Sequence, residues 1–173
     1  MKNIAVMGHI DHGKTTLIST ISRIFEGDKK EIFKNSETVL RTETEIEFGG
    51  DTYLFFDYEE DSGYEENLNG TEDGAVLVVS ATDGPLMGTE RAVELCKERG
   101  IERIAVLFSK CDMVGDDELI DMVEWDLDDI LDENGFSTDC PKLRANSERT
   151  LDWGREEDKK DFFNFLGEIH NME

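Results

Sequence analysis

Eight residues near the start of the chain, Gly8-His9-Ile10-Asp11-His12-Gly13-Lys14-Thr15, fit the spacing G-x-x-x-x-G-K-[ST]. That spacing suits phosphate chemistry. Gly8 and Gly13 let the backbone curl so that successive N–H groups point into one concavity. The concavity opens on the start of the next helix, whose free N–H groups and dipole favour an anion. Lys14 reaches the β- and γ-phosphates of a nucleotide, and the Thr15 hydroxyl takes a place on Mg²⁺. Three more polar clusters end apolar runs. Phe55-Phe56 delivers Asp57, an acid suited to holding Mg²⁺ through water. Leu107-Phe108 delivers Ser109-Lys110-Cys111-Asp112. A carboxylate at Asp112 accepts from the N1 and N2 hydrogens of guanine, whereas adenine has no N1 hydrogen, and the Lys110 stem can lie over the base. The last run delivers Ala145-Asn146-Ser147, at the right end to touch the base as well.

The elements that must hold these groups alternate. Strand-like runs cover 3–7, 43–48, 53–56, 75–80, 104–108 and 142–145, and Gly49-Gly50 reads as a hairpin turn. Helices are predicted after Gly13, near Thr89, near Asp116 and near Asp158. Their core faces read as Leu17, Ile21 and Ile24; Ala92, Leu95 and Cys96; Leu119, Val123, Leu127, Ile130 and Leu131; and Phe162, Phe165, Leu166 and Ile169. Gly100 is a helix stop, and Asp116, Asp117 and Glu118 suit a helix start. Alternating strands and helices with short links predict a mostly parallel sheet covered on both faces, with the hairpin adding one antiparallel strand. Ligands of such sheets sit at the carboxyl ends of the strands, where all four polar clusters fall.

The chain has 173 residues, a length for one domain spanning 1–173, and 38% hydrophobic content. Cys96, Cys111 and Cys140 fit no metal spacing and no disulfide framework, which points to a reducing cytoplasm. No signal peptide and no apolar run of membrane-spanning length is apparent. With 42 acidic against 18 basic side chains the net charge is −24. Such a surface repels phosphate backbones, which argues against direct tRNA or other nucleic-acid binding and against an anionic membrane. Solubility or adaptation to high salt is the plainer reading of the same charge.

The stretch 8–15 resembles the P-loop of the translational GTPases of elongation factor Tu type. Asp73-Gly74-Ala75-Val76-Leu77-Val78-Val79 with Ala81-Thr82-Asp83-Gly84-Pro85 resembles that family's fourth strand and following loop. Lys110-Cys111-Asp112-Met113-Val114 and the acidic helix after it resemble its guanine-recognition element. The similarity runs from residue 1 to about 148 and is weak around 26–48 and 58–72. It implies an α/β three-layer sandwich of P-loop GTPase type, with a six-stranded sheet. It also implies GTP or GDP with Mg²⁺ as cofactors, and a protein partner from the translation machinery. The implied nucleotide contacts are Gly8, His9, Ile10, Asp11, His12, Gly13, Lys14, Thr15, Thr16, Ser109, Lys110, Asp112, Asn146 and Ser147, with Thr15 and Asp57 on the metal. His9 and His12 read as loop packing, and Asp11 as a local hydrogen-bonded turn.

The departures from the family pattern bear on catalysis. The family's second switch, Asp-x-x-Gly-His, corresponds here to Asp57-Tyr58-Glu59-Glu60-Asp61. Glu60 stands at the glycine that approaches the γ-phosphate, and Asp61 at the histidine that positions water. Six of the ten residues 57–66 are acidic, which sets charge against the γ-phosphate. The first-switch threonine is one of Thr38, Thr42 and Thr44. Ser109 stands at the family's asparagine, so an amide tie between base loop and P-loop is expected to be lost. Asn146-Ser147-Glu148 replaces Ser-Ala-Leu. The 173 residues are expected to hold the nucleotide domain alone, without the family's two β-barrel domains. The first reading is a guanine-nucleotide-binding protein with slow or absent hydrolysis. Two others stay open: a non-enzymatic interaction module that mimics the family's nucleotide domain, and a competent small GTPase whose water is placed by other residues or a partner. Trp125 and Trp153 are expected to be partly buried, and His170 exposed.

Overall fold

A computed structural model describes residues 1–33, 39–58, 67–146 and 156–172. The element order is β1 (Lys2–Gly8), α1 (Lys14–Ile24), β2 (Asp28–Phe33), β3 (Val39–Phe48), β4 (Asp51–Tyr58), β5 (Gly74–Ser80), α2 (Met87–Arg99), β6 (Ile104–Ser109), α3 (Asp117–Glu133), β7 (Lys142–Arg144) and α4 (Glu156–His170). The sheet has seven strands in the order β2-β3-β4-β1-β5-β6-β7. β4, β1, β5, β6 and β7 run parallel, and β3 pairs antiparallel with both β4 and β2.

The expected α/β class and single antiparallel strand hold, and the strand count of six is corrected to seven. The added strand, β2, begins Asp28-Lys29-Lys30-Glu31 and shows no apolar alternation. Its edge position explains this, because charged side chains keep an open strand edge from pairing with other chains. β3 and β4 turn at Gly49 and Gly50, with φ of 62° and 87°. Two consecutive positive φ values are what a tight hairpin between twisted strands requires.

β5 is buried along its whole length, and period-two alternation divides it between two cores. Leu77 and Val79 face α2 and α3, packing with Leu95, Cys96, Phe108, Leu127 and Leu131. Val76 and Val78 face α1 and α4, packing with Leu17, Ile18, Ile21, Phe162 and Leu166. Helices on both faces make the three layers. Two sequence expectations fail on α3. Leu119 and Trp125 are exposed, at 51% and 65%, and Ile120 takes the core position in the first turn. His170 is half-buried rather than exposed: its Nδ1 lies 2.7 Å from the Tyr53 hydroxyl and 3.7 Å from Asp51 Oδ2. Trp153 lies outside the described residues.

Candidate functional site

β1 ends at Gly8 and α1 begins at Lys14, so the loop between them sits at the carboxyl end of a central strand. Gly8 has φ 148°, and a Cβ there would run into the Val78 carbonyl oxygen of β5. Only glycine lets the loop leave the sheet so close to its neighbour. Gly13 has φ 103° and caps α1 without any side-chain bond. The first turn of α1 carries no acidic residue, whereas α2 has Glu90 there and α3 has Asp117 and Glu118. In a chain of net charge −24 the helix's own first turn carries no carboxylate, which leaves its dipole to an incoming anion. Lys14 is buried and donates from Nζ to the His9 carbonyl at 3.1 Å, folding its ammonium back over the loop.

The Thr15 hydroxyl donates to Asp57 Oδ2 at 3.0 Å. Asp57 is buried near the end of β4, beside β1 in the sheet. A hydroxyl and a carboxylate at this distance are hard oxygen donors of the kind Mg²⁺ takes while keeping most of its waters. Among the described residues no group of three or more His, Cys, Asp or Glu side chains gathers as a protein-only metal site.

The end of β6 and the turn after it reach back to the P-loop. Ser109 Oγ donates to the His12 carbonyl at 2.5 Å, and Lys110 Nζ donates to the Asp11 carbonyl at 2.9 Å. The expected loss of the tie at position 109 is therefore corrected: the serine hydroxyl makes the connection in place of an amide. Lys110 adopts φ 59°, and Asp112 follows on a short 3-10 turn with its carboxylate exposed. Asn146 follows β7 and borders one cleft with Gly13, Thr16 and Ser109. Cys111, inside that turn, has its thiol pushed up to about 11 by burial, so it is protonated and unreactive near neutral pH.

Both P-loop histidines are structural braces. His12 is buried, its Nδ1 accepting the Ser80 N–H at 3.2 Å. His9 Nδ1 accepts the Gly88 N–H at 3.2 Å, and the two rings lie 5.2 Å apart. Burial pushes the His12 pKa below its usual value, the charge of His9 adding to the effect against the pull of Asp83, whose Oδ2 is 3.6 Å from Nε2. Sequence reasoning missed the parts played by Ser80, Asp83 and Gly88. Each meets the P-loop from about seventy or more positions away, and no local pattern marks such a contact.

Of the remaining candidates, Ile10 is exposed and Asp11 adopts φ 59°. Thr42 and Thr44 are buried within β3, Thr42 directly across from Asp57 in the strand register. Thr38, Glu59, Glu60, Asp61 and Ser147 lie outside the described residues.

A P-loop opening on a helix, a carboxylate at the neighbouring strand end, and a Lys-x-Asp turn bonded back to the loop define an α/β fold of G-domain type. The family model of the elongation factor Tu GTP binding domain matches residues 66–164, more than half of the chain. The chain belongs to that family, and guanine nucleotide is the ligand that membership implies. The matched residues include Ser109, Lys110, Asp112 and Asn146, while the P-loop and Asp57 precede them.

Proposed function

We propose that this protein binds GDP and GTP with Mg²⁺ in the cytoplasm as a single G domain, and hydrolyses GTP slowly or not at all. The observation that carries the reading is the pair of bonds from Ser109 and Lys110 to the P-loop carbonyls of His12 and Asp11. They hold a phosphate-binding loop and a guanine-selective carboxylate on one rigid frame. Lys14 and the start of α1 take the phosphates, Thr15 and Asp57 hold Mg²⁺, Asp112 takes the N1–N2 edge of guanine, and Asn146 with Ser147 meets the rest of the base. Adenine offers neither an N1 nor an N2 hydrogen to Asp112, so it forgoes both charge-assisted hydrogen bonds and is bound more weakly. Calorimetry tests this directly. GDP with Mg²⁺ gives heat, ADP competes far more weakly, and Lys14→Ala removes the signal. Equal competition by ADP refutes the role given to Asp112, and no heat at millimolar GDP refutes the reading.

One observation favours a second reading alongside it, that of a protein-interaction module. Leu119, Met122 and Trp125 are all exposed on α3, a helix with nine acidic and no basic residues. A translation-machinery protein with a basic, apolar face fits that surface.

A further inference from the structure

A narrow cleft lies beside the base loop. Leu17, Leu107 and Phe162 give it apolar walls, and Thr16, Ser109 and Asn146 give it polar ones. Two features tie it to the base site. The Ser109 hydroxyl has one proton and spends it on the His12 carbonyl at 2.5 Å, so the side chain is pinned toward the P-loop. Serine also has two fewer side-chain heavy atoms than the asparagine to which position 109 corresponds in the family, and the space it leaves adjoins the cleft.

We propose that this cleft is a subsite for a substituent on the five-membered ring of a guanine nucleotide, and that the protein accepts 7-substituted 7-deazaguanine nucleotides. The inference rests on the nucleotide reading above. A purine anchored through N1 and N2 at Asp112 and through its phosphates at Lys14 spans the gap between those groups. Ser109 stands in that gap. A Cβ on Gly13 would lie 3.7 Å from its Cβ, and Asp112 is three residues further on. Asn146 borders the same cleft and is placed here as the partner of O6. O6 and the 7-position share one edge of guanine, so a base that turns O6 to Asn146 turns its 7-position to the cleft. The walls suit a small, mainly apolar group. An asparagine at 109 would fill the entrance.

The test compares GDP, 7-deaza-GDP and 7-propynyl-7-deaza-GDP by calorimetry on the wild type and on Ser109→Asn. All three compounds keep the N1 and N2 hydrogens that Asp112 reads. Wild type is expected to bind the propynyl compound at least as tightly as 7-deaza-GDP. Ser109→Asn is expected to lower the affinity for the propynyl compound, relative to that for 7-deaza-GDP on the same variant, tenfold or more. Should that variant fail to fold, nuclear Overhauser contacts from the propynyl methyl to the Phe162 ring in the wild type decide the matter. GDP binding accompanied by tenfold rejection of the propynyl compound, or absence of the Phe162 contact, overturns the subsite alone. No heat with GDP itself overturns the nucleotide reading and the subsite with it.

Discussion

At the scale of single residues, the brace from His12 to the end of β5 holds only while its Nδ1 carries no proton. His12 Nδ1 accepts the Ser80 N–H and His9 Nδ1 accepts the Gly88 N–H, and a protonated ring nitrogen accepts nothing. The depressed pKa of His12 sets the sign of the pH effect. Below about pH 6.5 the unfolded chain takes up a proton that the folded chain refuses, so stability falls with pH until the folded-state pKa is reached. One such group contributes a slope of up to about 1.4 kcal/mol per pH unit. Urea midpoints between pH 7.5 and 5.5 should therefore drop more for wild type than for His12→Asn, whose side-chain oxygen can still accept the Ser80 N–H. Equal slopes in the two proteins would show that His12 is not the titrating group. The catalytic prediction belongs to this scale as well. On the proposed correspondence of Glu60 and Asp61 with the family's glycine and histidine, single-turnover hydrolysis and the GTP-to-GDP affinity ratio should both rise in Glu60→Gly/Asp61→His. Family-like turnover by the wild type, lost on Asp61→Ala, would restore a working enzyme. The lysine and glycines of the P-loop were legible because their spacing is a local constraint. The Ser109 bond to His12 was not, because it depends on where two strand ends meet in space.

At the scale of elements, β7 is only three residues long, yet it positions Ala145 and Asn146. Its hold comes from α3. Lys142 Nζ bonds both oxygens of Asp128, at 2.7 and 2.9 Å, and lies 3.3 Å from Glu124. Arg144 Nη2 bonds Asp121 at 2.5 Å and Glu124 at 2.9 Å. Half-exposed pairs of this kind contribute roughly 0–1 kcal/mol each, more when they form a network. Arg144→Met should thus cost under about 1 kcal/mol of stability while speeding GDP release several-fold, since the base loop loses its lateral support. Stopped-flow release of a fluorescent GDP analogue against urea midpoints separates the two effects, and unchanged release would remove β7 anchoring from the account of affinity. The same helix shows why some elements were misread. Apolar residues on α3 nearly encircle it, so periodicity alone placed Leu119 in the core, whereas the sheet selected the face of Ile120, Leu127 and Leu131. β2 went unread for the opposite reason: an edge strand made of charges carries no burial pattern.

At the scale of the whole molecule, 42 acidic side chains against 18 basic ones make self-repulsion a standing cost of the compact state. The fold concentrates part of that charge, with nine acids in the 17 residues of α3. β7 neutralises only the part of α3 that faces Lys142 and Arg144. The Debye length shortens from roughly 14 Å at 0.05 M to about 4 Å at 0.5 M ionic strength, so added salt should relieve repulsion between distant carboxylates. Salt also weakens the exposed ion pairs, such as Arg91 with Glu94 and Glu98, but those contribute little to begin with. The repulsive sum therefore dominates, and thermal midpoints should rise between 0.05 and 0.5 M KCl. For a domain of this size each kcal/mol gained appears as about 2–4 °C. Sucrose at matched osmolarity serves as the control, because it acts by exclusion rather than screening. A flat or falling midpoint in KCl would mean that local pairing already balances the charge. A rise in KCl well beyond that in sucrose would identify screening as the cause. Nucleotide binding should follow the same trend, since an anionic ligand approaching a chain of net charge −24 is repelled least when the field is screened.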